Sequence, residues 1–134
     1  MHATPFLTFQ PDRGQSASEA MSAYVELFED GEVLSDQRRG PGDPGGEGTI
    51  VIAEFRVAGL TFRCSDSPIR HEWDFTPAIS VWIDCPSTDE QQRLFNALVE
   101  GGRAHMPIDD YGFGPFGWVQ DRFGINWQLA AAAE

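Results

Sequence analysis

"GWVQDRFGINWQL", residues 117–129, contains the signals on which the fold reading turns. Two apolar runs flank Asp121, Arg122, Phe123 and Gly124, a composition that reverses a chain. Trp118 stands before the turn and Trp127 after it. Successive strand side chains point to opposite faces. Val119, Ile125, Trp127 and Leu129 therefore share one face, and Trp118, Gln120, Asn126 and Gln128 share the other. Amides pressed against an apolar helix would leave polar groups unsatisfied, at about 1–3 kcal/mol each. The hairpin is therefore expected to put Trp127 in the core and Trp118 on the opposite face. Asp121 and Arg122 read as turn residues forming an exposed ion pair.

Working outward, the hairpin closes a pattern that occurs twice. "TPFLTF" (4–9) reads as a strand and "SASEAMSAYVELF" (16–28) as a helix. Ser16 and Glu19 fit a capping box, and Ala20, Met21, Tyr24, Val25 and Phe28 recur at helical spacing. "EVLSDQRR" (32–39) is a strand, "GPGDPGGEG" (40–48) a flexible loop, and "TIVIAEFRV" (49–57) with "LTFRC" (60–64) a hairpin around Ala58-Gly59. The Gly-rich loop lacks the Gly-Lys-Ser/Thr ending of a phosphate loop. "SDSPIRHEWDFTP" (65–77) reads as a solvated connector, "AISVWID" (78–84) as a strand, and Ser87 with Glu90 repeats the capping signal. Leu94, Phe95, Leu98 and Val99 supply a second apolar stripe. "RAHMPIDDYGFGPF" (103–116) reads as loop with at most one short strand; a loop histidine such as His105 could serve as an acid or base, and a surface position is the preferred reading. "VAGLTFRC" aligns with "RFGINWQL", so that Gly59 matches Gly124 and Phe62 matches Trp127. The fold class expected is α+β: two βαβββ units, about 4–64 and 78–130, within a single domain spanning 1–134.

Bulk properties narrow the function. A chain of 134 residues with 41% hydrophobic content suits one packed domain that needs no disulfide or metal to fold. The formal charge of −12 repels phosphate backbones and anionic bilayers, so neither nucleic acid nor membrane is an expected partner. Cys64 and Cys85 read as reduced, buried thiols. No secretory signal is seen at the start, and cytoplasmic localisation is the expectation.

Five blocks in order, "TPFLTF", "EAMSAYVELF", "AEFRVAGLTF", "PAISVWIDC" and "GWVQDRFGINWQL", together resemble the vicinal-oxygen-chelate superfamily of glyoxalases, bleomycin-resistance proteins and extradiol dioxygenases. The closer resemblance is to its PhnB-like branch, labelled 3-demethylubiquinone-9 3-methyltransferase-like. It implies half-barrel sheets with helices outside, completed in a homodimer, and a ligand cavity on the inner faces. Strand alternation then implies a cavity lined by Thr4, Phe6, Thr8, Ile52, Glu54, Ser80, Trp82, Trp118, Gln120, Asn126 and Gln128. Ala78 would join them, while Ile79, Val81 and Ile83 pack on the helices, and Glu54 shares its face with Ile50 and Ile52.

Metal-dependent members of the superfamily use four strand positions that fall here on Thr4, Glu54, Ala78 and Gln128. Only Glu54 is an ordinary ligand type, so no metal and no other cofactor is expected. Glu54 is the one candidate catalytic residue, a general base if its carboxylate is unpaired. The preferred alternative is an ion pair with Arg56 or Arg63, or hydrogen bonds to Gln128 and Ser80. The methyltransferase label is not supported, because no glycine-rich strand-to-helix turn is present to hold a nucleoside cofactor. The function expected is metal-free binding of a small, partly aromatic or apolar molecule. An isomerase, lyase or oxygenase using Glu54 is the alternative.

Overall fold

The computed structural model describes residues 1–133. The chain divides into two units, Met1–Glu72 and Trp73–Glu134. The first runs β1 (Phe6–Phe9), α1 (Ala17–Leu27), β2 (Glu32–Arg38), β3 (Ile50–Val57) and β4 (Leu60–Asp66). The second runs β5 (Val81–Cys85), α2 (Thr88–Val99), β6 (Arg103–Asp110), β7 (Pro115–Gln120) and β8 (Asn126–Ala131). Their sheets have the same plan, β1-β4-β3-β2 and β5-β8-β7-β6, with one parallel pair each, β1 with β4 and β5 with β8. The expected pair of βαβββ units is the observed fold. The register also carries the sequence repeat: Phe62 on β4 and Trp127 on β8 are equivalent, and both are buried.

Each helix begins where its capping residue predicts. Ser16 Oγ accepts the Glu19 amide at 3.2 Å and Ser87 Oγ accepts the Glu90 amide at 3.1 Å. The Glu90 carboxylate pairs with Arg93 on the same helix. Ala17, Ala20, Met21 and Tyr24 of α1, and Leu94 and Leu98 of α2, face their own sheets. A buried polar residue ties each helix down. Asp66 accepts the amides of Ala17 (2.9 Å) and Ile50 (2.8 Å). Gln91 donates to the carbonyls of Leu129 (2.9 Å) and Pro115 (3.0 Å). Gly117 lets α2 approach β7: a Cβ there would come within 3.0 Å of the Phe95 ring.

Four local expectations are corrected. β5 begins at Val81, so Ala78 and Ser80 precede the strand, and Ile79, at 77% exposed, does not pack on a helix. In β3 the pairing skips Val51 between Arg38–Ile50 and Gln37–Ile52, and this irregularity turns Ile50 into the core while Ile52 stays exposed. Glu54 therefore shares its face with Ile52 but not with Ile50. Residues 103–110 form the eight-residue strand β6. It tolerates Pro107 because it is an edge strand. Asp121, read as exposed, is 4% exposed. It accepts from the Phe123 and Ile125 amides (2.9 and 3.0 Å) and from Trp127 Nε1 (2.9 Å), while Arg122 lies over the Phe123 ring.

The connector is less solvated than its composition suggests. The half-buried His71 shares a 2.8 Å hydrogen bond with Ser67 Oγ, and its backbone is held by Gln10 and Arg13.

Candidate functional site

In the second unit, the face of the sheet away from α2 carries one row across all four strands. Trp82 of β5 pairs with Gln128 of β8, Gln128 with Trp118 of β7, and Trp118 with Met106 of β6. Neighbouring strands lie about 4.8 Å apart, so the two tryptophan backbones stand roughly 10 Å apart with Gln128 between them. Trp82 is 51% exposed; it stacks on Phe116 (5.6 Å between centroids, 30°) and donates to Asp84 Oδ1 at 3.0 Å. Gln128 donates to Ser80 Oγ at 3.2 Å. Phe113 and Tyr111 meet Phe116 edge-on. Trp118 is half-buried, and its covered Nε1–H has no acceptor among the described residues. An unmet buried donor costs about 1–3 kcal/mol.

Beside that row lies an imidazole–amide pair. His105 Nε2 is 2.8 Å from Asn126 Oδ1, and the His105 ring leans on Trp118 at 5.0 Å and 58°. Asn126 is 2% exposed, and its Nδ2 donates to the Gly124 carbonyl at 3.3 Å. Gln120, half-buried, pairs with Asn126 across the hairpin. The structure therefore gathers Ser80, Trp82, Trp118, Gln120, Asn126 and Gln128 on one face. It adds His105, which the sequence reading had assigned to a surface loop. The repeat was the available signal: the first half has a strand at 32–38, and its counterpart had to lie near 103–110.

In the first unit the equivalent face carries Phe6, Arg63, Glu54 and Ser35 as its corresponding row. Phe6 is exposed, Thr8 lies further along the same strand face, and the half-buried Thr4 lies ahead of β1. Glu54 Oε2 is 3.3 Å from Arg63 Nε, and Arg56 pairs with Glu32 at 2.6 Å. Of the readings weighed for Glu54, the structure shows the ion pair with Arg63.

The donor positions do not fit a divalent metal. By strand register, the first-unit counterpart of Gln128 is Arg63, while Glu54 takes the place held by Trp118. A guanidinium offers only N–H donors and ligates no cation. With Thr4 and Ala78, the set offers at most one carboxylate and no imidazole, too few of the ligands a divalent transition metal takes. Among the described residues no group of three His, Cys, Asp or Glu could hold a metal ion. The thiols offer no ready nucleophile: burial, then the Asp66 charge, pushes Cys64 up to about 12, and burial, then Glu90, pushes Cys85 up to about 11.

The model of the 3-demethylubiquinone-9 3-methyltransferase family matches residues 1–130. The chain belongs to that family, within the PhnB-like branch of the vicinal-oxygen-chelate superfamily. Among solved structures, a Bacillus cereus PhnB protein, provisionally described as a 3-demethylubiquinone-9 3-methyltransferase, is 38% identical with a TM-score of 0.91, over 98% of this chain and 100% of that one. A Pseudomonas aeruginosa protein is 26% identical with a TM-score of 0.83, over 100% and 99% of the two chains. A glyoxylase/bleomycin resistance protein/dioxygenase domain from Frankia sp. shares the fold at 17% identity and a TM-score of 0.68, over 100% and 93%. No curated protein matches this PhnB-like chain.

Proposed function

We propose that this PhnB-like protein is a metal-free small-molecule-binding protein whose ligand is a flat, partly aromatic molecule held on the helix-free face of the second sheet. The row Trp82–Gln128–Trp118 carries this reading: two indoles offer apolar walls, and an amide between them fixes polar groups. Ser80, Gln120 and Asn126 extend the polar part. The Glu54–Arg63 ion pair favours binding over proton transfer, because the one candidate base is already engaged by a neighbouring guanidinium. The strand-to-helix junctions run through Gln10–Ser16 and Pro86–Ser87, and neither is the glycine-rich turn that cradles a nucleoside cofactor. A methyltransferase reaction is therefore not part of the proposal.

A homodimer and a cytoplasmic setting accompany this reading. β2 is exposed at all seven positions, with Val33 and Leu34 about 40% exposed, and such an edge is commonly covered by a second copy. Cys64 and Cys85 are free buried thiols, as suits a reducing compartment. No helix among the described residues is long and apolar enough to cross a membrane.

Titration of the nitrogen-15-labelled protein with 1-naphthol tests the site. The indole N–H resonances of Trp82 and Trp118 are expected to shift while that of Trp127 stays in place. Saturation without movement at Trp82 and Trp118 overturns the assignment.

A further inference from the structure

We propose that His105 is a ligand-recognition residue of the second sheet, presenting its Nδ1 as the acceptor for a hydroxyl group on an aromatic ligand. This deepens the binding reading above and rests on it. The first observation is backbone register. Ala104 pairs with Val119 and Met106 with Trp118, so His105 is the extra residue of a bulge. A bulge redirects one side chain. Here the imidazole is turned onto the face that carries Trp118 and Asn126, as its contacts with both side chains show.

The second observation is an internal control. The first unit builds the same bulge at the same place: Val33 pairs with Phe55 and Ser35 with Glu54, leaving Leu34 as the extra residue. The fold therefore does not require a histidine there. Nor does it require an amide opposite, since the counterpart of Asn126 in the first unit is Thr61. The His105–Asn126 pair belongs to the second unit alone, beside the tryptophan row.

The third observation sets the proton. Asn126 Nδ2 donates to the Gly124 carbonyl, so Oδ1 is the atom turned to His105. The opposite amide orientation would set two oxygens against each other. Oδ1 only accepts, so Nε2 carries the hydrogen and, in the neutral ring, Nδ1 keeps its lone pair. Among the described residues no donor is assigned to Nδ1. The half-buried ring lies against Trp118, so an aromatic ligand stacked there brings a ring hydroxyl within reach. A fixed acceptor rejects an isostere that lacks the donor far better than an apolar wall does.

Two measurements test this. Long-range nitrogen-15 spectra of the free protein at pH 8 are expected to show His105 as the Nε2–H tautomer; the Nδ1–H tautomer overturns the proposal. Calorimetric titration with 1-naphthol and 1-methoxynaphthalene is expected to give about tenfold weaker binding of the ether, the loss of one hydrogen bond. In His105→Phe, which keeps a ring against Trp118, 1-naphthol is expected to weaken to the level of the ether. Equal binding of both probes by the wild-type protein, or preference retained in His105→Phe, overturns the role of His105 and leaves the aromatic site standing. Binding of neither probe overturns the aromatic site as well.

Discussion

Trp118 and Trp127 sit on one hairpin and have opposite surroundings. Trp127 is 1% exposed, its indole N–H is held by Asp121, and the same carboxylate closes the turn through two backbone amides. Trp118 is half-buried and borders the helix-free face. Trp127→Ala should cost about 3–5 kcal/mol, as for a large buried aromatic, while Trp118→Ala should cost much less and instead weaken 1-naphthol binding. Urea melts of both variants check this, and a larger loss for Trp118→Ala would invert the assigned faces. Parity along the strand made the two opposite faces legible. The burial of Asp121 was not legible, because turn composition says nothing about whether the turn is later covered.

The β3–β4 hairpin shows how an element stores and offsets strain. Val57 pairs with Leu60, so the turn is Ala58-Gly59, with φ values of +50° and +76°. Alanine in the left-handed region costs about 1–2 kcal/mol. Asp30 offsets this by accepting both turn amides, at 2.7 Å from Ala58 and 2.8 Å from Gly59. Ala58→Gly should therefore stabilise by about 0.5–1 kcal/mol, the relieved strain less the added chain entropy of glycine, measurable as a higher urea midpoint. The Gly59 amide is the main cause that holds the Asp30 carboxyl below its ordinary 3.8; burial opposes it, and the Ala58 amide and then the Arg56 charge add to the lowering. A lowered folded-state value means stability that is fully present above the unfolded value and lost as pH falls through the folded one. Between pH 6 and pH 3 the wild-type protein should lose more stability than Asp30→Asn, and parallel losses would remove Asp30 from the account. The sequence placed the turn at Ala58-Gly59. It offered no sign that a residue beyond α1 would clamp it, because that contact spans 28 residues.

At the scale of the whole molecule, the exposed β2 edge and the mismatched donor set each carry a prediction. Light scattering should give twice the 14.8 kDa chain mass, and a monomer mass independent of concentration would remove the homodimer. Elemental analysis of protein purified without a metal-affinity column should find no near-stoichiometric divalent metal, since Arg63 occupies the counterpart of Gln128. Zn, Ni, Mn or Fe at near one per chain, lost in Glu54→Gln, would reverse that reading.

The sequence by itself determined the repeat and the elements other than β6, because helix caps, turn residues and side-chain alternation are local and act within a few positions. Ser16, Ser87, Gly59, Gly124 and the apolar set Val119, Ile125, Trp127 and Leu129 all have the places their neighbours dictate. Tertiary structure alone decided what depends on pairing between distant strands. The bulge that turns Ile50 inward and the bulge that turns out His105 are set by register against a partner strand. So is the juxtaposition of Glu54 with Arg63. A one-residue slip on an edge strand leaves little trace in local composition, yet it decides which side chain reaches the helix-free face.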